Sequence, residues 1–179
     1  FLQGIAGITK TRHRKNFELQ GVDLGKARAI GGLLDISLML TPNLSLSGRA
    51  AGQHALTPLP SSMTFGVGSD VGLRGFPGSL VSGDNGWLGV SELVWTAWSD
   101  GQQALQIVPF IGIGGIQTNT LDFVFEDNIG SGGIIARYIK GPWQVELGWV
   151  DTFMTDDNPG LWNHWVVGHG LHTKLRFTF

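Results

Sequence analysis

The sequence has no cysteine, little charge and no apolar run near the roughly 18 residues of a membrane-spanning helix. Without cysteine, a disulfide framework and a thiolate metal site are both excluded. The net charge of −2 excludes the basic footprint of a nucleic-acid-binding protein. Charged residues make up only 15% of the chain, against about 25% in an ordinary soluble domain. This shortage predicts that part of the surface faces an apolar medium.

What the chain has in abundance is alternation of apolar and polar residues with a period of two. In the last segment, for example, Leu171, Leu175 and Phe177 alternate with His172 and Lys174. Strict alternation over about eight residues predicts half-buried strands rather than helices. Eight strands are predicted, at about 1–12, 28–40, 44–55, 86–98, 103–116, 131–140, 143–153 and 170–179.

The connections between these strands alternate in length. Those after the second, fourth and sixth strands are short, at 41–43, 99–102 and 141–142. The others are long, at about 13–27, 56–85, 117–130 and 154–169. Short turns at one end and long loops at the other are typical of outer-membrane barrels. The sequence therefore predicts an all-β fold, an antiparallel transmembrane β-barrel integral to the outer membrane, with its C-terminus on the periplasmic side.

The two faces of the strands fit the same fold. Five tryptophans lie in or beside strands, as in the aromatic girdle of a barrel whose outer face contacts lipid and lipopolysaccharide: Trp87, Trp95, Trp98, Trp143 and Trp149. The polar face is predicted to line a wet lumen with Asp35, Arg49, Gln53, Gln106, Glu146, Lys174 and Arg176. The alternative is a soluble eight-stranded barrel or sandwich with a polar exterior. Loop parity, tryptophan placement and the terminal Phe179 favour the membrane.

The connection at 56–85 is unusual because it is long and nearly uncharged. Its only charged residues are Asp70, Arg74 and Asp84, whereas a loop exposed to water usually carries more. We therefore expect it to fold back into the lumen. There Arg74 is a planar fork of five donors that needs acceptors once it is desolvated.

The residues around this arginine resemble a known signature. Leu73-Arg74-Gly75-Phe76, followed by Gly83-Asp84-Asn85-Gly86 and Ser91-Glu92-Leu93, resembles that of the two-partner-secretion transporters. These are the TpsB, or haemolysin secretion/activation, proteins of the BamA-type superfamily. The likeness covers most of the chain and extends to the strand that ends in Phe179.

The resemblance implies a sixteen-stranded barrel preceded by periplasmic POTRA domains. Residues 1–179, which begin with Phe rather than Met, would be its C-terminal eight strands, a fragment without the POTRA domains. The loop around Arg74 would tuck into the lumen. The barrel-assembly machinery would read Leu175, Phe177 and Phe179 as its signal.

One position departs from the family. Its wall acid sits in a Phe-x-Asp-x-Gly pattern, and here Gly112 of Phe110-Ile111-Gly112-Ile113-Gly114 takes the place of the aspartate. The usual ion pair with Arg74 is therefore not available. We expect Glu92 to be the partner instead, the alternatives being loop carbonyls or a loosened loop.

The function implied is a pore that secretes an unfolded partner exoprotein of the haemolysin or adhesin type. The alternatives are a BamA-type assembly or insertase barrel and a stand-alone eight-stranded structural or adhesive barrel. We expect no enzymatic activity, since no Ser-His-Asp arrangement is specified, and no cofactor.

Metal binding is also not expected. His164, His169 and His172 are close in sequence, but their spacing fits no known ligand pattern. The acidic runs at 126–128 and 156–158 are interpreted as solvated turns.

Overall fold

Most of the residues that the structure describes lie in β-strands. A computed structural model describes residues 2–10, 27–76, 78, 81–119, 124–154 and 170–178. The strands within these ranges are β1 Leu2–Lys10, β2 Arg28–Thr41, β3 Leu44–Ala55, β4 Phe65–Val67, β5 Val81–Gly83, β6 Asn85–Ser99, β7 Gln103–Asn119, β8 Val124–Lys140, β9 Trp143–Met154 and β10 Gly170–Phe177. In these ranges no helix has the length and apolar character needed to cross a bilayer.

Eight of the strands form one antiparallel sheet in the order β1-β2-β3-β6-β7-β8-β9-β10. The other two, β4 and β5, pair with each other inside the connection between β3 and β6. This connection, residues 56–84, is called the inner loop below. The antiparallel all-β fold predicted from the alternation is confirmed.

The short turns have the chemistry that tight connections need. At the β6–β7 turn the carboxylate of Asp100 accepts hydrogen bonds from the backbone N–H groups of Gln102 and Gln103, at 2.9 and 2.7 Å. These two bonds lower the pKa of Asp100. Gly101 follows with φ +88°, a left-handed conformation that glycine adopts without a steric cost.

The predicted long connection at 117–130 is wrong. β7 continues to Asn119 and β8 already begins at Val124, so the ladder includes the pair Gln117↔Glu126. The run Glu126-Asp127-Asn128 is strand rather than a solvated turn. A ladder needs only paired backbones, and apolar alternation is imposed only where one face meets lipid. The strand therefore continues after its sequence signal has ended.

The sheet has two unlike faces. On one face, called the outer face, the five girdle tryptophans lie about half exposed, at 47–54%. The inner loop packs on the opposite, inner face and forms a core with strands β6 to β8. That core contains Val67, Leu73, Phe76, Val81, Leu88, Ile116 and Ile129. A second cluster lies next to it on the inner face, formed by Val108, Phe110, Ile135 and Val150.

Adjacent isoleucines on β8 allow a test of this two-faced packing. Ile135 is fully buried, whereas Ile134 on the outer face is 52% exposed. We expect Ile135→Ala to lower the free energy of unfolding by about 2–5 kcal/mol, because it leaves a cavity. The matched control Ile134→Ala removes the same atoms from the outer face and is expected to cost less. Urea unfolding in lipid measures both, and equal losses would contradict the assignment of faces.

Candidate functional site

The inner loop is fastened at its base by β3. The side-chain amide of Gln53 donates hydrogen bonds to the carbonyls of Met63 and Asp84, at 2.8 and 3.3 Å. The backbone N–H of Leu59 donates to a carboxylate oxygen of Asp84 at 3.2 Å. These bonds join the start of the loop to its end, so the residues between them are presented as one folded unit.

The tetrad Leu73–Phe76 forms the part of the loop that meets the wall of strands. Gly72 and Gly75 flank Arg74 with φ +112° and +87°, so the chain turns sharply on both sides of the arginine. A Cβ atom at Gly75 would lie 2.6 Å from Cγ1 of Val150 on β9. Only glycine therefore allows this turn to approach the strand so closely.

Leu73 is seated above two glycines of β7. Its side chain is fully buried, and a Cβ atom at Gly112 would lie 2.6 Å from its Cδ2. At Gly114 a Cβ atom would lie 3.4 Å from Leu73 Cδ1 and 2.9 Å from Val67 Cγ1. Gly112 and Gly114 thus provide a socket for the leucine that precedes Arg74.

Arg74 is tied to two carboxylates from different strands. Its Nη2 lies 2.6 Å from Oε1 of Glu92 on β6, and its Nη1 lies 2.8 Å from Oε2 of Glu146 on β9. The guanidinium also stands over the ring of Phe110, 5.4 Å from the centroid, within the range of a cation–π contact. The structure therefore places Glu92 against Arg74 and adds a second acid.

A second arginine closes these contacts into a ring. Arg137 on β8 donates through Nε to Oε1 of Glu146 at 2.8 Å, and its Nη2 lies 3.8 Å from Oε2 of Glu92. Each carboxylate thus turns one oxygen to Arg74 and the other to Arg137. We call these four residues the Arg–Glu ring. Opposite charges alternate around it and the formal charges sum to zero.

The ring is largely shielded from solvent. The side chain of Glu146 is 3% exposed, and those of Arg74, Glu92 and Arg137 are 15–20% exposed. Desolvation lowers the pKa of Arg74, but its contacts with Glu92 and Glu146 outweigh this effect and raise the pKa above its ordinary value. Arg74 is therefore a cation at every physiological pH. Charges so far from water are stable only when they are paired.

Polar neighbours complete the surroundings of Glu146. Gln144 donates to its Oε1 at 2.9 Å, and Nε2 of His172 on β10 lies 3.8 Å from its Oε2. Gln106 on β7 accepts from Nη1 of Arg137 at 3.4 Å. The ring is thus supported by side chains from several strands of the sheet.

Other residues expected at the site lie elsewhere. Arg49 pairs with Asp35 across β2 and β3 at 2.7 Å, with both side chains at least one-third exposed. On β10, Leu175 and Phe177 are exposed at 66% and 48%, and Phe177 packs on Trp143 with ring centroids 4.6 Å apart. Phe179 lies outside the described residues.

Sequence reasoning missed Arg137 and gave Glu146 only a general place on the lumen face. A single arginine in the apolar run Ile134-Ile135-Ala136-Arg137-Tyr138-Ile139 is a signal that could have found the first. The pairing of Glu146 with a loop residue depends on how four strands are aligned, and no local spacing reports that.

Of the three histidines considered for metal binding, only His172 is among the described residues. His164, His169 and the acidic run 156–158 lie outside them. Within the described part of the chain, no group of three or more histidine or acidic side chains is arranged to hold a metal ion.

Comparison with known proteins identifies the family of this chain. The family model described as haemolysin secretion/activation protein ShlB/FhaC/HecB matches residues 23–122, more than half of the chain. The match includes the inner loop with Arg74, the strand with Glu92 and the glycines of β7. No curated protein and no solved structure gave a significant match. The chain belongs to the haemolysin secretion/activation family, the outer-membrane β-barrel transporters of two-partner secretion.

Proposed function

We propose that this chain is part of a pore that moves an unfolded partner exoprotein, of the haemolysin or adhesin type, across the outer membrane. The Arg–Glu ring anchors the inner loop to the wall of that pore. The observation that carries the proposal is the pair of contacts from Arg74 to Glu92 and Glu146. Through them a single loop residue is bonded to strands β6 and β9.

The anchored loop leaves a space beside it. A cavity of about 690 Å³ separates the loop tip at Arg74–Phe76 from residues 170–174 of β10. We propose that the translocating chain passes on this side. An anchored loop then keeps the passage open at a defined width, and a loop without its anchor falls into it.

The loop is held to the wall by apolar packing together with the ion pairs. Burying a leucine such as Leu73 contributes about 1.5–3 kcal/mol. Partly buried ion pairs add little net free energy, because desolvation offsets most of their attraction. The tip of the loop is thus positioned by the ring, and the burial of Val67, Phe76 and Val81 adds further apolar contacts that hold the loop to the wall.

The wider architecture is also a proposal. β1 and β10 are the two edge strands of the sheet, and each has a partner strand on one side only among the described residues. This arrangement is compatible with a sheet that is completed by eight further strands. We propose that POTRA domains precede this barrel and that the C-terminus lies on the periplasmic side. Leu175, Phe177 and Phe179 then serve the barrel-assembly machinery, and the outer face contacts lipid and lipopolysaccharide. The family match favours secretion over the assembly function of BamA-type barrels.

The anchor is tested by Arg74→Ala in the intact transporter. We expect secretion of the partner to fall by about tenfold, the equivalent of about 1.4 kcal/mol, because Glu92 and Glu146 keep only one cation and the loop loses its tie. The barrel itself is expected to insert normally. The measurement is the amount of secreted partner protein divided by the amount of inserted, heat-resistant barrel.

The control is Arg49→Ala, which removes another inner-face arginine paired with a carboxylate, that of Asp35, outside the ring. It is expected to secrete close to the parent level. Unchanged secretion by Arg74→Ala, or an equal loss in both variants, would show that anchoring of the loop is not what secretion requires.

A second test places the family's acid in this chain with Gly112→Asp. Although the new carboxylate could approach Arg74, its Cβ would lie 2.6 Å from Leu73 Cδ2. Real Cβ atoms do not approach so closely, and overpacking of this kind costs about 1–3 kcal/mol. We therefore expect secretion to fall.

The double variant Leu73→Ala/Gly112→Asp makes room for the acid and is expected to secrete more than Gly112→Asp alone. If Gly112→Asp secretes as well as the parent, or if the second substitution brings no recovery, Gly112 is not the socket for Leu73.

A further inference from the structure

We propose that Arg137 is a positioning residue that moderates the docking of the inner loop. It is a cation built into the wall that shares both of Arg74's carboxylates and keeps the loop's attachment reversible. The proposal rests on the function proposed above, in which Arg74 anchors the loop.

The geometry places Arg137 in competition with Arg74. Arg137 lies directly opposite Glu146 in the β8–β9 ladder. Its guanidinium takes Oε1 of Glu146 and faces Oε2 of Glu92, the two oxygens that Arg74 does not use. Because Arg137 belongs to a strand, it stays with the acids wherever the loop goes.

The charges give the direction of the effect. Without the loop, Glu92, Glu146 and Arg137 carry a formal charge of −1, which Arg74 neutralises on docking. Without Arg137 the wall would carry −2 and attract Arg74 more strongly, since Coulomb energy scales with the charge. Two residues of β10 also lie next to Glu146: Nε2 of His172 is 3.8 Å from its Oε2, and Lys174 is its partner in the β9–β10 ladder. Both residues are kept unchanged in every variant described below.

Arg137 also makes the undocked state tolerable. When Arg74 leaves, Glu92 and Glu146 lose the cation that bridges them, and two neighbouring carboxylates repel each other. Arg137 remains bonded to Glu146 and near Glu92, so neither carboxylate is left without a cation when the loop is released. Removing Arg137 should therefore trap the loop in its docked position.

A purely structural role predicts the opposite. If Arg137 only held the two acids in place for Arg74, its loss would misplace them and loosen the loop. The two roles differ in the sign of one measurement, the rate at which the loop leaves the wall.

Val67 of β4 offers a reporter for that rate. It belongs to the inner loop and is fully buried where the docked loop meets β7, and residues 1–179 contain no cysteine. In the intact transporter, freed of any other cysteine and reconstituted in lipid vesicles, a Val67→Cys reporter is labelled by a membrane-impermeant maleimide only when the loop undocks. We expect Arg74→Gln to speed labelling and Arg137→Gln to slow it by about threefold or more. Arg137→Lys, which keeps the charge, stays nearer to the parent rate.

A second comparison avoids the excess negative charge of Arg137→Gln, should that variant fail to insert. Glu92→Gln leaves the wall neutral and should label quickly. The double variant Glu92→Gln/Arg137→Gln returns the wall to −1 and should label more slowly than Glu92→Gln.

The outcomes separate the two proposals. Labelling that is unchanged or faster on loss of Arg137, in either background, overturns the moderating role while leaving the anchor intact, provided that Arg74→Gln speeds labelling. If Arg74→Gln does not speed labelling, the anchor fails and this inference fails with it.

Discussion

The desolvated guanidinium of Arg74 is the constraint on which the rest of the site depends. A cation at the tip of a nearly uncharged loop can lie against a wall of strands only if acceptors wait for it there. Glu92 and Glu146 supply them from β6 and β9, at 2.6 and 2.8 Å. Their own burial then requires a second cation, which Arg137 provides between those strands. The burial of Arg74 thus requires the two carboxylates, and the burial of the carboxylates requires Arg137.

Apolar packing and the ring divide the work of holding the loop. Leu73 contributes buried area by entering the socket above Gly112 and Gly114, whereas the ion pairs contribute direction more than net free energy. The two are linked by sterics, because the leucine occupies the space in which the side chain of a wall acid on β7 would stand. Leu73 and a side chain at position 112 therefore exclude each other, and the acids that pair with Arg74 stand on β6 and β9 instead.

Features that depend on neighbouring residues could be predicted from the sequence, whereas features that depend on the alignment of distant strands could not. Period-two alternation located the eight strands of the main sheet, because this signal lies within a few residues. Loop parity was only partly right, since the connection between β7 and β8 is short. The contact between Arg74 and Glu92 was also within reach, since both residues flank one end of the same connection. The far ends of β7 and β8 escaped prediction because paired backbone outside the lipid layer has no apolar signature. Arg137 and the role of Glu146 escaped because they depend on register across four strands.

That register is restricted by the opposite face of the sheet. Side chains alternate strictly along a strand, so a slip of one residue between β8 and β9 would turn Glu146 outward and Trp149 inward. In lipid such a slip exposes a carboxylate to hydrocarbon, which is far more costly than in water. The outer face therefore excludes every slip by an odd number of residues, and the Arg137–Glu146 ion pair itself favours the observed register over a slip by two. The apolar outer face, which does not touch the Arg–Glu ring, thus helps to keep its four members together.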